Sequence, residues 1–215
     1  MTLRVRLGGV AVMLAGVQLV VVEAITASAW ARPSYSYATN YISDLGVSGC
    51  PTSYGGRTIC SPLAGAMNAA FIAEGVLFVL AAILLLGGIA SAWRWVFLVL
   101  AMLHGIGSLV IGLVPETSAS GLHVPGATLA IAGGDLAVVA AGLALRRTVL
   151  GRITIVIGIV GILGAVLLET SSIAPDGVLE RVGVYAITAF DVLVGAAALH
   201  RPDLLGRTGR GSRRE

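Results

Sequence analysis

The sequence predicts an all-α membrane protein, a polytopic bundle of six transmembrane helices, and three observations carry that reading. Hydrophobic residues make up 57% of the 215-residue chain and charged residues only 12%, against roughly 45–50% and 25% in soluble domains. Apolar stretches of about 20 residues recur, each able to cross a hydrocarbon layer of about 30 Å at about 1.5 Å per residue. The short alternating segments of a closed barrel do not occur. Backbone groups in lipid must be satisfied within their own segment, so each stretch is read as a helix.

In order, the spans are Gly8 to Trp30, Leu63 to Ile89, Trp93 to Val114, Gly126 to Leu145, Ile153 to Ile173 and Val182 to Leu199. They form one domain over residues 1–200, with a long loop at 31–62, followed by a basic tail at 201–215 expected to be disordered. The basic start, the apolar run and Ala29-Trp30-Ala31 imitate a cleavable signal. Signal cores, however, span only about 7–15 residues, whereas this run is longer and carries Gln18 and Glu23, so it is kept as the first helix. The 29 glycines suit close helix approach, with Gly158, Gly161 and Gly164 on or near one face.

All 14 basic residues are arginine. Eleven fall on one side of the predicted spans: Arg4, Arg6, Arg94, Arg146, Arg147, Arg152, Arg201, Arg207, Arg210, Arg213 and Arg214. Only Arg32, Arg57 and Arg181 fall on the other. The positive-inside rule makes the first side cytoplasmic, with both termini there and the protein in the plasma membrane. The net charge of +3 then reflects topology and anionic lipid headgroups rather than a nucleic-acid surface.

The 31–62 loop carries both cysteines, Cys50 and Cys60, on the outer, oxidising side. A disulfide closing a ring of about ten residues is expected to stabilise the fold by about 2–3 kcal/mol, with two free thiols as the alternative. Two cysteines without nearby histidines make a poor zinc site, no metal site is assigned, and the sequence names no cofactor. Further on, Glu116-Thr117-Ser118 leaves one helix as Glu169-Thr170-Ser171 leaves another, and Ala130-Ile131 with Asp135 matches Ala186-Ile187 with Asp191. This suggests a duplicated hairpin in parallel orientation.

Glu23, Glu74, Asp135, Glu169 and Asp191 fall inside predicted spans, joined by His104, with no arginine expected at their depth. A lone charge in hydrocarbon costs several kcal/mol, so such groups face the bundle interior, stay protonated, pair, or hold a cation. Counting inward puts Glu23, Glu74, Asp135 and Asp191 roughly 10–17 Å deep, so four carboxyls are expected to share one layer, with Glu169 nearer the surface. Two readings stand side by side. One is an outward-facing polar cavity that binds or moves a cation, a proton or a lipid headgroup; the other is interhelical hydrogen bonding by neutral acids. His104, beside Gly105 and Gly107, suits a hydrogen bond across a close helix contact better than metal ligation.

A second cluster is expected at the cavity mouth: Asn40, Ser43 and Asp44, then His123, then Glu180, Arg181 and Tyr185. A serine, a histidine and acids invite a hydrolase reading, with His123 served by Asp44 or Glu180. No G-x-S-x-G elbow and no H-E-x-x-H frames it. Ser43 and Asp44 also suit turn or cap positions, and Arg181 is within expected reach of Asp44 or Glu116. A structural or regulatory membrane subunit is the third alternative.

The segments NYISDLG, HGIGSLVIGLVPE, LHVPGATLAIAGGDLA and ERVGVYAITAFDVLVG together resemble the bacterial and archaeal membrane family catalogued as domain of unknown function 998. The resemblance runs from the first helix to about Leu199. Its pattern falls here on Ile42 to Gly46, on His123, and on Glu180, Arg181 and Tyr185; Ala186 stands where the family often has proline. It implies a six-helix bundle and no particular activity. NYISDLG is also distantly similar to a loop of the Frag1/DRAM/Sfk1 membrane family, which has links to lipid handling, and this one-motif similarity tilts the unknown ligand toward a lipid.

Overall fold

The protein is described by a computed structural model covering residues 2–30, 32–88, 92–170 and 173–201. Six helices dominate it: α1 (Thr2–Ala29), α2 (Ala64–Leu85), α3 (Trp93–Leu113), α4 (His123–Ala144), α5 (Val149–Thr170) and α6 (Asp176–His200). All six are long and apolar enough to cross a membrane. In the long loop, a 3₁₀ turn at Ser43–Gly46 precedes an antiparallel hairpin of β1 (Thr52–Tyr54) and β2 (Arg57–Ile59), closed by the Cys50–Cys60 disulfide. The tail from 202 lies outside the described residues.

Several helices start earlier than hydropathy predicts. α6 begins at Asp176 rather than Val182, and α4 at His123 rather than Gly126. These first turns are polar yet helical: Asp176 sits at the positive end of the helix dipole, and Pro125 in the first turn of α4 forfeits no hydrogen bond. Glu180 and Arg181 are therefore helical residues inside α6.

The helices form a closed ring in which each packs against its sequence neighbour and α6 returns to α1; α4 also touches α6, leaving α5 on the outer side. The buried residues of α5 are Gly151, Thr154, Gly158, Gly161 and Gly164, while Val156, Ile159, Leu163 and Val166 are exposed. In lipid an exposed valine gains nothing by turning inward, whereas small residues let backbones approach closely. Gly107 of α3 illustrates the constraint, because a Cβ there would collide with the backbone of Ala130 and Gly126 in α4.

Two apolar cores occupy the ends of the ring. Toward the arginine-rich end, Phe78, Phe97, Phe190, Val138 and Val194 pack together. At the opposite end, Ile42, Leu45, Val47 and Ile59 of the long loop pack on Trp30, Met67 and Phe71. The loop therefore plugs the bundle, and a polar layer lies between the two cores. A Gly107→Val substitution is expected to lower the thermal unfolding midpoint in detergent by the equivalent of about 1–3 kcal/mol. Gly87→Ala, where a Cβ meets nothing within 4 Å, should leave that midpoint unchanged.

Candidate functional site

Arg181 ties the loop to the helices. Its Nε and Nη2 donate to Glu23 Oε1 of α1 at 3.1 and 2.9 Å, and Nη1 donates to the carbonyls of Tyr37, Asn40 and Gly177 at 2.8–2.9 Å. Nη2 also donates to the Tyr35 hydroxyl. Tyr185 donates to the second oxygen of Glu23 at 2.9 Å. Every nitrogen of the guanidinium is thus engaged on a buried residue, which makes the group a structural pin. The expectation that Glu23 lies without an arginine, and that Arg181 reaches Asp44 or Glu116, is corrected by this pairing. Arg181 sits one helical turn inside α6, at the level of Glu23.

Asp44 is held instead by Arg57 of β2, whose Nε lies 3.1 Å from both carboxylate oxygens and whose Nη2 lies 2.9 Å from Oδ1. The same Nη2 reaches Glu116 at 3.3 Å. Asn40 Nδ2 and the Tyr41 backbone N–H complete Asp44 at 2.9 and 3.1 Å, and Ser43 donates to Glu116 at 3.5 Å. The ring formed by the disulfide thus presents the cation that clasps loop to bundle. Burial pushes the Asp44 carboxyl up, but hydrogen bonds from Glu116, Arg57 and Asn40 and the charge of Arg57 outweigh it, leaving it below the ordinary range. Glu116 moves the other way: burial, then hydrogen bonding to Asp44 and its charge, push it up to about 8 against the pull of Arg57. One cation between two buried carboxyls accommodates one anion and one neutral acid.

Beneath the loop lies a cavity of about 50 Å³, room for about three water molecules. Ser43, His123 and Glu180 line its loop end, Glu74, His104 and Ser108 its deeper end, and apolar side chains such as Phe71, Ile111 and Val184 the wall between. Glu180 accepts the Ile42 backbone N–H at 2.5 Å, so the roof is bonded to α6. His123 Nδ1 donates to the Val114 carbonyl at 2.7 Å. At the floor, Glu74 Oε1 lies 2.7 Å from His104 Nε2, and Ser108 donates to Glu74 Oε2 at 3.0 Å. His104 Nδ1 is 2.6 Å from the Ala130 carbonyl oxygen. That oxygen can only accept, so Nδ1 carries a hydrogen, and Nε2 and Glu74 share the next proton. Gly134 makes room for the ring, since a Cβ there would lie 2.7 Å from Nδ1.

The remaining candidates divide. Asp135 and Asp191 are fully buried, and their carboxyl oxygens have no hydrogen-bond partner among the described residues. Asp135 occupies the space that a side chain at Gly161 of α5 would fill, and Asp191 lies against Gly16 of α1. Glu169 is exposed at the end of α5. The expected single layer of four carboxyls is therefore corrected: of the acids, only Glu74 and Glu180 line the cavity. Asp191, 15 residues into α6, lies about 22 Å from the loop end rather than within 17 Å, because α6 starts early. Among the described residues no cluster of three acidic, histidine or cysteine side chains could hold a metal ion, and Asp44 is committed to Arg57 rather than to His123. Sequence reasoning left Arg57 and Glu116 outside the candidate site and passed over Ser108. Ser108 carried a signal, since it follows His104 by one helical turn and shares its face.

A ring of six apolar helices, plugged by a disulfide-closed loop and holding ionisable groups at depth, defines a multi-pass membrane protein. The chain belongs to the family described as "Protein of unknown function (DUF998)", which matches residues 7–197. No curated protein and no solved structure matches it.

Two outcomes follow from the ion pairs. Arg181→Met leaves Glu23 buried without its cation and should cost about 3–5 kcal/mol in thermal unfolding, whereas Arg181→Met with Glu23→Leu should recover a large part of that loss. The clasp should also depend on pH. Asp44 contributes above the ordinary carboxylate range and loses its contribution as pH falls through its lowered value. Glu116, favoured as the neutral acid, contributes below that range and loses its contribution as pH rises through about 8. Hydrogen-exchange protection of residues 42–47, corrected for the intrinsic rise of exchange with pH, should therefore fall between about pH 5 and pH 8, and Glu116→Gln should abolish that fall.

Proposed function

We propose that this protein takes up protons from the loop end at the Glu74–His104 pair inside the bundle. The observation that carries this reading is the pair itself. Backbone bonding at Nδ1 fixes the ring, so Glu74 and Nε2 lie 2.7 Å apart around one exchangeable proton at the floor of a cavity. The pair is neutral as carboxylic acid with imidazole or as carboxylate with imidazolium, and either form avoids an isolated charge in the bundle. A second proton or its loss changes the charge of the site, which is the event a proton-coupled membrane protein needs.

The size of the cavity supports a proton over the other ligands considered. Sites for small molecules enclose about 300–1,000 Å³, so a lipid headgroup exceeds a space of about 50 Å³. Metal cations require a shell of oxygen ligands, whereas the polar groups here sit at opposite ends of an apolar wall. The excess of arginine at the other end supports a plasma-membrane protein with cytoplasmic termini, which puts the cavity on the outside.

The test is infrared and histidine-selective nitrogen NMR titration of the full chain in lipid nanodiscs between about pH 4 and pH 10, a range that covers ordinary carboxyl and imidazole titration. Wild type should show a carboxyl and an imidazole signal that change together. Glu74→Gln, which keeps a donor toward Nε2, should remove the carboxyl change and simplify the histidine one. A pair silent over the whole range sinks the reading.

A further inference from the structure

We propose that Asp191 receives the proton released by the Glu74–His104 pair and carries it into the apolar core toward the arginine-rich end. This rests on the proton-uptake reading above and adds a route through the bundle.

Asp191 is 1% exposed and neither of its oxygens has a partner among the described residues. A buried carboxyl without donors is tolerated as the neutral acid. Ile187, one helical turn before Asp191 on α6, lines the cavity whose deeper end holds Glu74 and His104, which puts Glu74 of α2 across from Asp191. From α1 the residue facing it is Gly16, whose missing side chain leaves the space: a Cβ there would lie 2.9 Å from Asp191 Cβ and 3.2 Å from Oδ2. Farther along α1, Glu23 is committed to Arg181.

Depth gives the direction. Glu74 is 10 residues into α2 and Asp191 15 residues into α6, which places them about 15 Å and 22 Å from the loop end. Asp191 directly follows Phe190, which packs with Phe78 and Phe97 in the apolar core that closes the cavity floor. An ion cannot enter that core without losing its hydration, but a proton can enter it on a carboxyl group. The balance is simple. A proton arriving through the cavity leaves the pair as carboxylic acid plus imidazolium. One proton then passes to Asp191, left as a carboxylate by its previous release, which becomes the acid again, and the pair returns to its one-proton form. Release from Asp191 to water reaching it from the arginine-rich end starts the next turn.

Asp135 is the internal comparison. It is equally buried and unpartnered, but it faces Gly161 of α5 and lies within reach of His104 rather than Glu74.

The experiment uses the full chain in phosphatidylcholine–phosphatidylglycerol vesicles with an internal pH dye, a proton gradient and a potassium ionophore to balance charge. Wild type should move protons, and Asp191→Asn should reduce the rate by roughly 100-fold or more, in the range of a lost acid–base group. The Glu74 carboxyl titration measured on the same variant should persist, which shows that the fold and the uptake site are intact. Absence of protein-dependent flux in wild type overturns the route while leaving the titrating pair in place. Undiminished flux in Asp191→Asn overturns it, as does loss of flux in Asp135→Asn alone.

Discussion

In hydrocarbon a polar side chain finds partners on other helices, on a loop folded over the end, or nowhere, and the interaction that meets this constraint most completely is the guanidinium of Arg181. It joins α6 to Glu23 of α1 and to the carbonyls of Tyr37 and Asn40, two elements that hydrophobic packing alone would leave free to slide. Once residues 37–40 are fixed, the Ile42 N–H meets Glu180 and Ile42 and Leu45 sink into the end of the bundle. The roof of the cavity is thus a consequence of one buried ion pair. Replacement by apolar residues can match such a pair in energy; what the pair adds is a defined position for a loop.

The buried acids answer the same constraint in three ways. Glu23 and Asp44 meet arginines, Glu74 meets histidine and serine, and Asp135 and Asp191 meet glycine. The first arrangement fixes charge in place and resists proton exchange. The second makes two protonation isomers similar in charge. The third leaves a neutral acid whose only easy change is to lose a proton to a neighbour. The acids paired with arginine are thus the ones committed to holding the fold, and the proposed proton exchange falls on those without arginine.

Much of the fold is legible in the sequence because hydropathy acts over about 20 residues at a time, and all six spans appear where apolar stretches occur. What hydropathy misses are helical turns made of polar residues, such as Asp176 to Arg181. That error moved Arg181 out of the membrane and hid its pairing with Glu23. The acids themselves were legible from residue type and depth, and the disulfide from two cysteines on one loop. Their partners were not, because Glu23 and Arg181 are 158 positions apart and Glu74 and His104 are 30 apart, and helix rotation decides which faces meet. Arg57 looked like an ordinary loop residue until the hairpin turned it onto Asp44. Its one clue was its place among three arginines on the side where topology disfavours them.

Three of the buried acids occupy similar places around the ring of helices. Around the ring, Glu74 of α2 faces α3, Asp135 of α4 faces α5, and Asp191 of α6 faces α1. Each returning helix thus presents one carboxyl to the helix that follows it. The residue opposite differs: His104 and Ser108 in the first case, Gly161 and Gly16 in the others. The cavity lies over the first contact and over neither of the others. Access and proton-sharing geometry therefore coincide at one of three similar places, which a purely structural role for the acids does not require.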